Sequence, residues 1–401
     1  MNMVKKLQMI FCGLALTAVG VGAVAGEDQA ARKPATKTPA STIYLMTNDD
    51  PPLKSTSVGS TVFTIAADGT PQNPVKVTMG GSGGGGGYFN ANRITVLNNS
   101  SACAYGSLSG SGEIGGIEIT QFQDVGDFAG SSTDAGVDNG IGLANNGTYL
   151  YANFSSSDTI ATFSITSGCS ATFLGDITTV GKNLGDIKGM AVHGNMMVVT
   201  YGDGSIQSFN IANGIPVSNG DLQNATGWAT SRFPAGVDIT SDGHYAIFGD
   251  QATTTVVEVS DISSGKLTKT KLYEVGSAFD SSSVYLSPDE TLLYIANTGT
   301  GQATAAFFNA STGVVTPGCT SAPLKGFDNT WTFLSSPVTE LNTGTGSVLY
   351  LAEYGSNSGI AVLNVSSSGG KCTLTETSAS PVNDPNSDTL LSIGVYPPRQ
   401  F

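Results

Sequence analysis

Two carboxylates and a set of amides and phenols recur at one kind of place along this chain, the polar end of a β-branched or aromatic run. Asp250 closes His244-Tyr-Ala-Ile-Phe-Gly-Asp250, and Glu353 with Tyr354 closes Val348-Leu-Tyr-Leu-Ala-Glu-Tyr354. Asn297 ends Thr291-Leu-Leu-Tyr-Ile-Ala-Asn297, Asn153 ends Thr148-Tyr-Leu-Tyr-Ala-Asn153, and Tyr201 and Asp203 follow Met196-Met-Val-Val-Thr-Tyr201. Asn48 and Asp49 follow a similar run near the N-terminus. A second set, Asp138, Asn139, Lys188, Arg232, Asp280 and Trp331, leads into short apolar runs. Carboxylates, amides, two basic groups and aromatics gathered round one opening suit a polar organic ligand, such as a sugar or a lactone. In such a set Asp250 or Glu353 could activate water, with Asn153, Lys188, Tyr201, Asp203, Arg232, Asn297 and Tyr354 as ligand-binding groups. The same Asn and Asp residues also suit turns, where their side chains hydrogen-bond nearby backbone. Both readings stand at this level.

Other chemistries find less support. The two histidines, His193 and His244, fall in turn sequences (Ala191-Val-His-Gly-Asn195 and Ser241-Asp-Gly-His244) without carboxylates at metal-ligand spacing, so neither a metal nor another cofactor is expected. No Gly-x-Ser-x-Gly elbow is present. The run Gly80-Gly-Ser-Gly-Gly-Gly-Gly-Gly87 lacks the Lys and Thr of a phosphate loop and reads as a connection.

The elements that must position these residues repeat. Similar strand phrases begin at Ser60, Glu113, Thr159, Ser205, Thr255, Ala303 and Gly359, spaced by 53, 46, 46, 50, 48 and 56 residues. A period near 50 built from strands predicts a β-propeller with one blade per repeat, hence an all-β, seven-bladed fold. Short runs such as Gly140-Ile-Gly-Leu-Ala144, Gly189-Met-Ala-Val192 and Gly236-Val-Asp-Ile239 are the expected inner strands. Leu390-Leu-Ser-Ile-Gly-Val-Tyr396 reads as an inner strand and Ile43-Tyr-Leu-Met-Thr47 as the strand after one, so the two termini are expected to share a blade. That arrangement removes the open edges of a linear repeat.

Lys5 and Lys6 precede an apolar stretch from Leu7 to Val21, followed by Ala23-Val-Ala25, the pattern of a cleaved secretory signal. The stretch is short for a membrane span of about 20 residues. Residues 1–25 are thus expected to be a signal peptide, 26–41 a flexible linker and 42–401 the propeller, with an extracytoplasmic location and no membrane span after cleavage. Charged residues are only 12% of the chain and the net charge is −14, or −16 once Lys5 and Lys6 are removed. An acidic surface without a basic cluster argues against nucleic acid and anionic membranes as partners. Export permits disulfides among the four cysteines left after cleavage. Cys169, Cys319 and Cys372 follow third strands and Cys103 begins a second, which places all four at the end opposite the ligand loops. Of three possible pairings, Cys103–Cys169 and Cys319–Cys372 would each join adjacent blades.

Ser287-Pro-Asp-Glu-Thr-Leu-Leu-Tyr-Ile-Ala-Asn297 and Ser241-Asp-Gly-His-Tyr-Ala-Ile-Phe resemble the YVTN-type repeat of lactonase-type seven-bladed propellers, a group including 6-phosphogluconolactonase and carboxymuconate cyclase. The repeat covers nearly all of the mature chain. The resemblance implies the propeller fold and, for activity, hydrolysis of a sugar or other organic lactone. The cyclase branch uses His, Glu and Arg at its channel mouth, whereas both histidines here fall in turn motifs. A phosphosugar calls for a basic clamp, yet arginine in the mature chain is limited to Arg32, Arg93, Arg232 and Arg399. Two functions follow: an exported propeller binding a small polar molecule or a protein partner at the channel mouth, or a lactonase-like hydrolase. On the export reading, N-terminal sequencing of secreted protein should begin near Gly26; a sequence beginning at Met1 would overturn it.

Overall fold

Both faces of a propeller blade are apolar, because each is covered by a neighbouring blade, and the strands show this directly. The computed structural model describes residues 42–49, 59–83, 92–97, 102–131, 141–154, 157–179, 187–224, 234–251, 254–327, 333–342, 347–354, 359–386 and 390–398. Its second strands are buried along nearly their whole length, as in Leu292–Asn297, with no alternation of buried and exposed positions. Outer strands such as Ala171–Thr178 and Pro71–Thr78 expose half or more of their residues.

Seven antiparallel sheets of four main strands form the ring, and one also pairs the short strand Gln223–Asn224. Blade 1 comprises Leu390–Tyr396, Tyr44–Asp49, Gly59–Ile65 and Pro71–Thr78, from the inside out. Blade 2 spans 94–129, blade 3 spans 141–178, blade 4 spans 187–224, blade 5 spans 234–276, blade 6 spans 281–320 and blade 7 spans 333–376. Helix among the described residues is limited to the single 3-10 turn Ser167–Cys169. Several outer hairpins close through two-residue turns with both residues at positive φ, such as Asn213 (53°) with Gly214 (87°) and Ser264 (53°) with Gly265 (73°). That geometry matches the twist of the flanking strands and makes glycine the natural second residue.

Between successive blades lie layers of aliphatic and aromatic side chains. Leu349, Leu351, Ala361 and Leu363 of blade 7 pack on Leu292, Tyr294 and Ala296 of blade 6. Val348, Tyr350 and Val362 on the other face of blade 7 meet Leu45, Phe63, Ile393 and Val395 of blade 1. Polar side chains add fixed ties: the Tyr350 hydroxyl donates to the Gly69 carbonyl (2.6 Å), the Tyr105 hydroxyl to the Cys169 carbonyl (2.9 Å), and the Leu286 N–H to Asp238 (2.8 Å).

Two disulfides join neighbours: Cys103–Cys169 between blades 2 and 3 and Cys319–Cys372 between blades 6 and 7, with Cα–Cα separations of 5.4 and 5.5 Å. The placement of the second differs from the expectation that all four cysteines share one end. Cys319 and Cys372 lie inside outer strands, Val314–Thr320 and Lys371–Glu376. Cys319 pairs with Ala305 near the start of the third strand, so it stands most of the way back along its own strand. The bond therefore crosses between outer strands rather than between turns.

The ring is closed by the chain ends. Tyr44–Asp49 pairs with Leu390–Tyr396, from Tyr44↔Tyr396 to Asp49↔Leu390. Residues 377–386 reinforce this closure: Val382 exchanges backbone hydrogen bonds with Ile360 of blade 7 (2.9 Å each). Buried Asp384 accepts from the Thr47 and Thr61 hydroxyls of blade 1 (2.8 and 2.9 Å) and from the Asn386 N–H (3.0 Å). Replacing Asp384 with Ala leaves two buried hydroxyls without their charged acceptor and should lower the unfolding free energy by about 2–4 kcal/mol. Urea unfolding measures this directly; a midpoint equal to wild type would show that this strap does not carry ring closure.

Candidate functional site

Second strands end, and inner strands begin, at one end of the ring, called here the channel mouth. Strand alternation, read from which neighbouring layer each side chain joins, assigns every residue near these ends to one face of its blade. The last second-strand station facing the preceding blade holds Leu108 in blade 2, Phe154 in blade 3 and Tyr201 in blade 4. In blade 5, Ala246 and Phe248 face blade 4, which puts Asp250 at this station. Leu293 and Ile295 place Asn297 there in blade 6, and Leu349 and Leu351 place Glu353 there in blade 7. Half of the ring thus fills one station with apolar or aromatic groups, while blades 5 to 7 fill it with two carboxyls and an amide. The adjacent station, facing the following blade, reverses the pattern: Ser107, Asn153 and Thr200 in blades 2 to 4, but Gly249, Ala296 and Ala352 in blades 5 to 7. Small residues beside the polar group leave room within the blade layer.

The residues read from the sequence therefore separate. Asp250, Asn297 and Glu353 share one arc and one register, all fully buried. Asn297 accepts from the Ser281 hydroxyl (3.2 Å) and donates to the Gln302 carbonyl (3.2 Å) and the Thr304 hydroxyl (3.0 Å). Asn153 and Tyr201 lie in the other half. Asn153 accepts from the Gly142 N–H (3.2 Å), and Tyr201 is a core residue whose hydroxyl donates to Gln207 (2.9 Å), its acidity weakened chiefly by burial. Asp203 is exposed and accepts from the backbone and hydroxyl of Ser205, as an Asx turn does. Lys188 sits half-buried on the inner strand Ile187–His193 of blade 4. Asn48 donates to the Ser107 carbonyl (3.1 Å), tying blade 1 to blade 2. Tyr354 ends a described strand, but its side chain, that of Asp49, and Asp138, Asn139, Arg232 and Trp331 as a whole lie outside the described residues.

Glu353 has the most distinctive environment. Its carboxyl packs against Gly326, where a Cβ would overlap Oε2 unless the carboxyl shifted. Neither oxygen has a side-chain hydrogen-bond partner among the described residues. Burial pushes the acid up to about 8 and the negative charge of Glu376 reinforces the shift; the Gly326 N–H and the Lys325 charge oppose it without cancelling it. Lys325 is engaged elsewhere: its N–H donates to Glu376 (3.0 Å) and its Nζ to the Thr377 and Ser380 carbonyls (2.6 and 3.1 Å). Glu376 also accepts from the Ser380 hydroxyl (2.6 Å). At neutral pH Glu353 is thus a neutral acid able to donate a proton, and above pH 8 it becomes a base in a dry setting. Sequence reading found Glu353 by its position, but Lys325, Gly326 and Glu376 carry no local signal; packing of the blade 6 to blade 7 connection against the outer strand of blade 7 brings them to it.

No protein-family model and no curated protein matches the sequence. Solved structures do match. A candidate 6-phosphogluconolactonase from Bacteroides uniformis has a TM-score of 0.64 at 14% identity, covering 88% of this chain and 99% of that one. A periplasmic gluconolactonase from Pseudomonas aeruginosa has a TM-score of 0.64 at 12% identity over the same shares of the two chains. A Lactobacillus plantarum protein has a TM-score of 0.65 at 12% identity, again with 88% and 99% coverage. The chain shares the seven-bladed propeller fold of these structures.

Because the folded pKa of Glu353 lies above its unfolded value, the native state holds a proton that the unfolded chain releases between about pH 4.5 and 8. Stability is then lost as pH rises through that window and levels off above it. Glu353→Gln removes the ionisable group, so its stability relative to wild type should grow from pH 4.5 to 8, by on the order of a few kcal/mol. Paired urea titrations across pH 4–9 measure this; a constant difference would mean that Glu353 titrates normally.

Proposed function

We propose that this protein hydrolyses a sugar or other polar lactone outside the cytoplasm, with Glu353 as the proton-transfer group. The observation that carries the reading is the buried Glu353 carboxyl, raised to about 8 so that its acid and base forms both lie within reach near neutral pH, at the mouth end of a propeller shared with lactonase-type structures. Water attacks the lactone carbonyl, the ring C–O bond breaks, and the proton leaving the water is carried to the departing ring oxygen. One acid–base group serves both transfers when its pKa lies near working pH. The leader-like N-terminus and two disulfides support an extracytoplasmic site of action. Among the described residues no helix is long and apolar enough to cross a membrane.

A binding propeller without turnover, recognising a small polar molecule or a protein partner, is the second reading. Its support is the full burial of Asp250 and Glu353. Acid release from a panel of lactones separates the two. On the hydrolase reading kcat/KM rises with pH through about 8, and Glu353→Gln loses at least about 100-fold in kcat without a lower melting temperature. No turnover of any lactone would leave the binding reading.

A further inference from the structure

Phe279 is 43% exposed at the channel mouth, on the connection from blade 5 to blade 6. Its ring packs against Gly299, where any Cβ would overlap it. Gly299 belongs to the turn that follows Asn297. The same turn receives Phe327 against Gly301, where again a Cβ would overlap the ring. Backbone hydrogen bonds fix the assembly: Thr298 N–H to the Asp280 carbonyl (2.9 Å), Leu324 N–H to the Gly301 carbonyl (2.8 Å) and Phe327 N–H to the Leu324 carbonyl (3.1 Å). The Thr255 hydroxyl anchors the Ala278 carbonyl (2.8 Å). Phe327 directly follows Gly326, the residue against which Glu353 packs. A chain of contacts therefore links Phe279 through the blade 6 turn and Phe327 to the segment beside Glu353, within the same half of the ring that carries the polar stations.

We propose that Phe279 is the apolar platform of a subsite for the ring of an uncharged sugar, a specificity element for the lactone hydrolysis inferred above and dependent on that reading for its catalytic meaning. A sugar ring presents a face of C–H groups that packs on an aromatic ring, and its hydroxyls need donors and acceptors close by. Half-buried Asp280, adjacent to Phe279, supplies such a group, and burial holds its carboxyl above the ordinary range. Among the described residues, the cation of this corner is Lys325, which already donates to two carbonyls. Against those residues a phosphorylated or carboxylated ring would meet neutral or acidic groups rather than a clamp, so they favour the neutral ring.

Binding and turnover test this separately. Saturation-transfer NMR with methyl β-D-glucopyranoside should show transfer to the C–H face of the sugar in wild type, lost in Phe279→Ala and retained in Phe279→Tyr, with melting temperatures of the three within a few degrees. Glucono-δ-lactone hydrolysis should show KM raised at least fivefold in Phe279→Ala with kcat within twofold of wild type, and a lower kcat/KM for the 6-phosphate lactone than for the neutral one. Absence of glucoside transfer in wild type, or transfer unchanged in Phe279→Ala, overturns the subsite whatever the enzyme does. Glucoside binding that depends on Phe279, with no lactone of the panel hydrolysed, keeps the subsite and overturns the hydrolase.

Discussion

Each blade is a thin sheet with two apolar faces, and neither can be buried until the sheet has a neighbour on both sides. The pairing of Tyr44–Asp49 with Leu390–Tyr396 is the interaction that meets this requirement for the whole ring. It completes blade 1 from the two ends of the propeller chain and so gives blade 7 a face to pack on, where Tyr350, Val362 and Ile360 meet Leu45, Phe63 and Ile393. Undone, it would expose two blade faces to water, at roughly 25 cal/mol for each Å² of apolar surface. Asp384 and its strap secure the same seam from the side. The pairing also brings the second-strand ends of blades 5, 6 and 7 to a fixed place around the axis.

Within the closed ring, the polar groups are distributed unevenly, and the unevenness has a physical cost. A carboxyl taken fully out of water is destabilising unless neutralised or well hydrogen-bonded. Leu108, Phe154 and Tyr201 show that the station occupied by Asp250, Asn297 and Glu353 is compatible with apolar or aromatic side chains in the same fold. Blades 5 to 7 thus depart from the stable solution adopted by blades 2 to 4. Local departures of this kind concentrate where function requires a particular group. Gly249, Ala296 and Ala352, small residues at the neighbouring station, are the compensation within each blade.

Much of the architecture was legible because it depends on short-range pattern. Seven β-rich phrases near a 50-residue period, polar turns between them and complementary strands at both ends specify blade number and closure without knowledge of any distant contact. Asp250, Asn297 and Glu353 were recognisable as a set because they follow the same kind of run. Asn153, Tyr201 and Asp203 were grouped with them for the same reason; Tyr201 does share their station, but Asn153 takes the opposite face of its blade and Asp203 lies in the turn beyond its strand. A shift of one residue along a strand moves a side chain to the opposite face, and the spacing of a motif does not reveal that shift. Tyr201 also illustrates a limit of residue type: a phenol at a strand end reads as a ligand group, whereas its packing among Tyr151, Ile160 and Val199 makes it core.

The amino-acid sequence by itself determined the repeat, the all-β propeller and the end of the ring at which polar side chains gather, since all three follow from hydrophobic periodicity and turn chemistry within about 50 residues. The face that each polar residue occupies, the neutral state of Glu353 and the seating of Phe279 were decided only in the tertiary structure. Each depends on residues from a different strand or connection: Glu376 of the outer strand and Gly326 of the blade 6 to blade 7 connection beside Glu353, and Gly299 beneath Phe279. Desolvation and steric fit are properties of what surrounds a group, and for these groups the surroundings come from chain segments about 20 to 30 residues away, brought into contact when the blades pack into a closed ring.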